Sequence, residues 1–171
     1  MSAVRVGIVM GSPSDLPVMH ACGEVLDGYG IAWETAVISA HRSPDAVRAY
    51  GRQAEARGLR VLIAGAGAAA HLPGVLASFT ILPVIGVPLS ATPLQGVDSL
   101  LSIMQMPPGI PVATVAVGEM GSRNAGHLAA RILALGDPVV AAALRARRQE
   151  MSRRVRLPEG FEVSGSGSGE A

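Results

Sequence analysis

The chain has 171 residues and a formal net charge of only +1, a balance that calls for neither nucleic acid nor an anionic membrane as partner. All fourteen basic residues are arginine, and the absence of lysine excludes a Schiff base to a carbonyl or to pyridoxal phosphate, as well as the lysine-bearing phosphate loop. A single cysteine, Cys22, excludes an intrachain disulfide, and the opening Met1-Ser2-Ala3-Val4-Arg5 lacks the basic and long apolar regions of a signal peptide, so a reducing, cytoplasmic setting is expected.

In chain order, short β-type runs occupy residues 4–10, 31–38, 60–64, 83–87 and 112–117, with helical segments between them. This alternation predicts βαβ units around a parallel sheet. The first helix is expected to start near Ser14 and stop at Gly28 or Gly30, with Leu16, Met19, Cys22, Gly23 and Leu26 on one face. The second has Ser43 as N-cap, Pro44 in its first turn and Gly58 at its end. Further helices are expected over residues 99–106 and 122–135, and from Asp137-Pro138 to about Arg153. Residues 1–157 are read as one domain, and the Ser/Gly-rich residues 158–171 as a disordered tail.

From Val61 to Gly118 the only charged residue is Asp98. Prolines and glycines cut this stretch into pieces shorter than the roughly 18 apolar residues of a membrane span. Buried parallel strands account for much of it. The remainder predicts apolar interfaces between copies of the chain, that is, a homo-oligomer.

Polar clusters follow the expected strands at residues 11–15, 39–44, 65–71 and 118–124, on the edge where open parallel sheets bind ligands. Gly11-Ser12-Pro13-Ser14-Asp15 sets hydroxyls and a carboxylate beside free N–H groups at a helix start; the same residues would serve equally as a plain helix cap. In Ser39-Ala40-His41-Arg42-Ser43-Pro44, two basic residues precede a helix start, where the helix dipole disfavours positive charge by about 0.3–1 kcal/mol. A bound phosphate or carboxylate reverses that cost, and the dipole favours a neutral imidazole able to take a proton. Gly65-Ala66-Gly67-Ala68-Ala69-Ala70 imitates a dinucleotide fingerprint, but no acidic residue follows before Asp98. It fits a compact, weakly polar hollow with His71 at its rim, where a ligand contact and a structural hydrogen bond are both open to that histidine.

His20, His41, His71, His127 and Cys22 show no metal-ligand spacing, and His20 and His127 read as helix-surface residues. The arginine-rich run of residues 145–156 lacks interleaved aromatics and reads as a solvated helix end. A serine hydrolase using Ser12, Asp15 and His41 would lack the G-x-S-x-G elbow. A non-catalytic nucleotide-binding module stays open on these residues.

Five ordered motifs between about residues 4 and 151 resemble the class I N5-carboxyaminoimidazole ribonucleotide mutases of purine biosynthesis. They are Gly11-Ser-Pro-Ser-Asp15 followed by Met19; Ser39-Ala-His-Arg-Ser-Pro44; Ala64-Gly-Ala-Gly67 leading to Ala70-His-Leu-Pro-Gly74; Asp98-Ser-Leu-Leu-Ser-Ile-Met-Gln-Met-Pro107; and Pro111-Val-Ala-Thr-Val115. The fourth resembles the mutase class rather than the related direct carboxylases. Ala68 stands where that family often has glycine, and Val75 where methionine is common. The resemblance implies a flavodoxin-like three-layer α/β/α sandwich with a central parallel sheet, a homo-octamer, and an enzyme working without cofactor or metal. It implies reversible conversion of N5-carboxyaminoimidazole ribonucleotide to 4-carboxyaminoimidazole ribonucleotide, by decarboxylation, recarboxylation at C4 and proton transfer by His41. Ser12, Asp15 and Arg42 are then the nucleotide contacts, Arg42 on the phosphate, with Ser39 and His71 as further substrate-binding residues.

Overall fold

The computed structural model describes residues 3–154 and 156. The expected tail, residues 158–171, lies outside the described residues. Five strands, β1 (Val6–Met10), β2 (Trp33–Val37), β3 (Val61–Gly67), β4 (Val84–Leu89) and β5 (Ala113–Thr114), form one sheet in the order β2-β1-β3-β4-β5. Every neighbouring pair is parallel. This is the flavodoxin-like order.

The layers follow from the strand residues. β1, β3 and β4 are buried almost throughout, as apolar strands covered on both faces must be. Two apolar clusters result, one on each face. On one face Ile8, Ile63, Ile85 and Val87 pack with Met19 and Leu26 of α1 (Leu16–Asp27) and with Ala125 and Ala129, which belong to the long helix near the C-terminus. On the other, Val9, Leu62 and Ala64 pack with Val47 of α2 (Pro44–Ala54), Leu76 of α3 (Leu72–Ala77) and Ile103 of α4 (Val97–Met104). Edge strand β2 is held from outside: Tyr50 donates to Glu34 at 2.8 Å, and Arg57 pairs with the same carboxylate at 2.5 Å.

Helix boundaries follow the local chemistry, with instructive shifts. α2 starts at Pro44 as expected, but regular helix ends at Ala54, and the chain leaves through Gly58 in the left-handed region (φ 93°). Ser43 holds the N-cap position as expected, but its side chain caps no N–H group; its hydroxyl donates to the Ser39 carbonyl at 3.1 Å. The six-residue α3 was not anticipated. Its shortness and Gly74 give it little intrinsic stability, and burial of Leu72, Pro73, Leu76 and Ala77 against the sheet holds it in place. α5 (Gly118–Ala134) starts four residues before its expected Ser122, and α6 (Pro138–Arg153) starts at Pro138 behind Asp137, whose carboxylate accepts from the Val139 and Val140 N–H groups. Arg5 clamps that capping carboxylate at 2.6 Å, fixing α6 to the lead-in of β1.

α1 and α5 pack closely because Gly126 presents no side chain; a Cβ there would meet the Cys22 carbonyl oxygen at 2.7 Å. Ser122 Oγ accepts from the Cys22 N–H at 3.1 Å across the same contact. Burial pushes the Cys22 thiol up to about 11, so it remains protonated at neutral pH.

Candidate active site

The C-terminal ends of β1, β2 and β3 lie side by side, so the loops following them meet at one rim, the place where the strand order reverses. They enclose a cavity of about 250 Å³. Ser12, Asp15, Ser39, His41 and His71 all line it, as do Ala66, Gly67, Ala68 and Ala69. Residues spread over sixty positions are thereby brought together. Arg42 stands beside the cavity: its side chain spans from the second loop to the first, donating to the Gly11 carbonyl at 2.8 Å. Ser39 Oγ accepts from the Arg42 N–H at 3.3 Å and so braces the same turn.

The first loop is a short 3-10 turn, Pro13–Asp15, entering α1. Ser12 rather than Ser14 is its cap. Ser12 Oγ accepts from the Ser14 N–H, and the Asp15 carboxylate accepts in return from the Ser12 N–H at 3.1 Å, a reciprocal capping box. Ser14 Oγ donates to Ser12 Oγ at 2.8 Å. Burial pushes the Asp15 carboxyl above its ordinary value, against the opposing pull of bonds from Ser12, Ser14 and Gly11.

His41 and His71 form the polar centre. Nε2 of His41 and Nδ1 of His71 are 2.8 Å apart, with ring planes at 90°. One nitrogen donates and the other accepts, so a single proton is held between the two rings. His41 Nδ1 and His71 Nε2 take no part in that bond.

Two expectations are corrected here. Gly65 and Gly67 belong to β3, because Gly65, Ala66 and Gly67 pair with Val87, Pro88 and Leu89 of β4. Gly65 is small for the sake of the core: a Cβ there would lie 2.3 Å from Met19 Sδ. The loop itself is short, and Ala68 turns it in the left-handed region at φ 52°. The polar cluster at residues 118–124 does not reach this cavity. Its residues are helical in α5, and Asn124 lines a separate cleft with Tyr29, His127 and Arg131. His127 is half-buried rather than a plain surface residue, and its Nδ1 sits 2.9 Å from the Tyr29 hydroxyl. Burial, and then the nearby Arg147, Arg131 and Arg123 charges, hold its pKa below the usual histidine value.

One lining segment escaped the sequence reading. Ala91, in the loop after β4, closes one wall, and a Cβ on Gly67 would stand 2.5 Å from the Ala91 Cβ. Its signal was position alone: β4 runs parallel beside β3, so the loop that follows it starts on the same edge. Among the described residues no three His, Cys, Asp or Glu side chains gather closely enough to hold a metal ion.

Known proteins give this arrangement its context. The sequence profile of the AIR carboxylase family matches residues 5–154. The chain is 52% identical to the N5-carboxyaminoimidazole ribonucleotide mutase of Vibrio parahaemolyticus, over 89% of this chain and 94% of that protein. It is 54% identical to the mutase of the same name from Thermotoga maritima, over 88% and 87%. Among solved structures, Treponema denticola PurE superposes with a TM-score of 0.78 at 29% identity, over 86% of this chain and 91% of that one. With a family profile matching almost the whole described chain and relatives sharing more than half its residues, the chain belongs to the AIR carboxylase family.

Proposed function

We propose that this chain is an N5-carboxyaminoimidazole ribonucleotide mutase of de novo purine biosynthesis, with His41 as its proton-transfer residue. The observation that carries the reading is the hydrogen-bonded His41–His71 pair on a small, mostly apolar hollow, in a chain sharing more than half its residues with proteins of that name.

The chemistry asks little of the protein beyond positioning. The bond from the exocyclic nitrogen to its carboxylate breaks, releasing carbon dioxide, and the nitrogen takes up a proton from the histidine pair, which the C4 proton later restores. The electron-rich ring then attacks carbon dioxide through C4, and the C4 proton must leave. A neutral imidazole takes it, and the second histidine gives the pair a route to pass it on. Carbon dioxide is small and apolar, so the alanine and glycine walls at residues 66–69 suit its retention. Arg42, with donors left over from its bond to Gly11, faces the substrate phosphate, while Ser12, Asp15 and Ser39 contact the nucleotide.

The reading extends to assembly. Leu94, Val97, Leu101 and Met104 form an exposed apolar stripe along and just before α4, and Leu135 and Val139 are exposed at the end of α5 and the start of α6. Such surface belongs between copies of the chain, and the octamer implied by the resemblance accommodates it. Light scattering behind size exclusion tests it, a monomer being the contrary result.

The functional test is conversion of the N5-carboxylated nucleotide by purified protein without added bicarbonate. A requirement for bicarbonate with the uncarboxylated nucleotide would instead mark a direct carboxylase. His41→Asn is expected to retain nucleotide binding and lose turnover; unchanged turnover would refute the role.

A further inference from the structure

Asp98 is the only charged residue between Val61 and Gly118, and it lies in the first turn of α4, outside the cavity. One carboxylate oxygen, Oδ2, accepts from the Thr92 hydroxyl at 2.7 Å. The other, Oδ1, is buried and has no hydrogen-bond partner among the described residues. An unsatisfied buried oxygen costs about 1–3 kcal/mol, and such a group asks for a reason beyond folding.

What the carboxylate holds is the loop after β4. Thr92 Oγ1 also accepts from the Leu94 N–H at 3.1 Å, and the Gln95 N–H donates to the Thr92 carbonyl at 3.0 Å. Two consecutive residues of the loop, Gln95 (φ 52°) and Gly96 (φ 90°), are left-handed; glycine adopts this freely, but at Gln95 the side chain disfavours it and surrounding contacts must impose it. Ser99, fully buried, donates within 2.9 Å of both the Leu89 and the Gly96 carbonyl oxygens and ties the start of α4 to the end of β4. This bracing delivers Ala91 to the cavity, where it comes down on Gly67 and shares the lining with His41 and His71.

We infer that Asp98 is a positioning residue for the carboxylate transfer: acting through Thr92, it fixes the loop at residues 90–96 so that Ala91 closes the wall that keeps released carbon dioxide beside C4. The inference rests on the mutase reading above. Its consequence is a partition. After the carboxylate leaves nitrogen, carbon dioxide either forms the bond to C4 or escapes, leaving the uncarboxylated aminoimidazole ribonucleotide and, after hydration, bicarbonate.

The experiment measures that partition. Thr92→Val, which keeps the side-chain shape and removes the hydroxyl, and Asp98→Ala are compared with wild type and with the conservative Thr92→Ser. Each is given the N5-carboxylated nucleotide, and the uncarboxylated and C4-carboxylated products are quantified after subtraction of the enzyme-free rate. Thr92→Val and Asp98→Ala are expected to raise the escaped share by about tenfold, a displacement effect of the size that small misplacements produce, while Thr92→Ser behaves as wild type. Because the ratio is internal to each turnover, partial unfolding of a variant lowers the rate without moving it. An unchanged partition in both variants, with wild type active, overturns this inference alone. A wild type that forms no C4-carboxylated product overturns the mutase reading and this inference with it.

Discussion

His41 and His71 lie thirty residues apart in the chain and share one hydrogen bond of 2.8 Å, with His41 Nε2 and His71 Nδ1 turned toward each other. The bond needs one proton between the rings, so it survives in the neutral pair and in the pair carrying one extra proton. It breaks only when both rings are doubly protonated. A proton arriving at His41 Nδ1 is therefore able to displace the shared proton toward His71, whose Nε2 remains open. His71→Asn is expected to lower kcat by about 10- to 100-fold, less than the loss in His41→Asn, since a relay partner assists the base without replacing it. A proton inventory in mixed light and heavy water separates the roles. It should be curved in wild type, where two protons move, and linear in His71→Asn; identical inventories would count against the relay.

The bond from Arg42 to the Gly11 carbonyl, at 2.8 Å, joins the loops after β1 and β2, and the phosphate contact proposed for this guanidinium falls to its remaining donors. Removing a charge-assisted contact typically costs about 1.5–3 kcal/mol. Arg42→Ala should therefore raise KM by roughly 10- to 100-fold with a smaller change in kcat, and Arg42→Lys should recover only part of the loss because it lacks the fork. Steady-state kinetics checks the split, and a change confined to kcat would remove Arg42 from phosphate binding.

Asp15 gives a pH-dependent prediction. Burial, the largest influence on it, raises its folded pKa above the ordinary 3.8. A carboxyl raised in the folded state contributes stability that is present below the unfolded pKa and lost as pH rises through the folded one. At neutral pH the ionised side chain is therefore a cost. Asp15→Asn keeps an oxygen for the Ser12 N–H, so it is expected to raise Tm at neutral pH, with the gain disappearing below about pH 3.8. The same variant should bind nucleotide more weakly, a site residue retained at the expense of stability. Melting curves across pH decide the first part, and an equal Tm difference at acid and neutral pH would refute it.

Much of this was legible in the sequence because it was written in local terms. The apolar runs of β1, β3 and β4, the Ser43-Pro44 start of α2 and the Asp137-Pro138 start of α6 are each set by residues close in the chain. The convergence of Ser12, Asp15, Ser39, His41 and His71 was legible too, since parallel strands bring their following loops to one edge. What escaped depended on contacts distant in sequence. α3 exists because its apolar residues are buried against β3 and β4, in spite of its shortness and Gly74. Gly65 is a glycine because Met19 fills the space of its side chain, which no pattern around Gly65 records. The helix expected from Ser122 begins four residues earlier, at Gly118, an extension masked because Gly118 and Gly121 dilute the helical pattern there, and it carries Asn124 to another cleft. Ala91 has no chemistry of its own to announce it and is recognisable only once its wall of the cavity is seen.

Ala68 sits at φ 52°, one residue beyond the end of β3 and on the cavity wall. A side chain in the left-handed region costs roughly 1–2 kcal/mol, because the Cβ crowds the following carbonyl. Glycine removes that crowding at the expense of a more flexible unfolded chain, an opposing effect of about 0.5–1 kcal/mol. The first effect is the larger, so Ala68→Gly is expected to stabilise the fold by about 0.5–1 kcal/mol, or roughly 1–4 °C in Tm for a chain of this size. Gly67→Ala tests the neighbouring position with the opposite sign: its Cβ would come within 2.5 Å of Ala91, so it should lower Tm and disturb the wall of the site together. Thermal melts of the two variants beside wild type settle the pair. A lower Tm in Ala68→Gly would mean that the turn is held by contacts that outweigh its backbone strain.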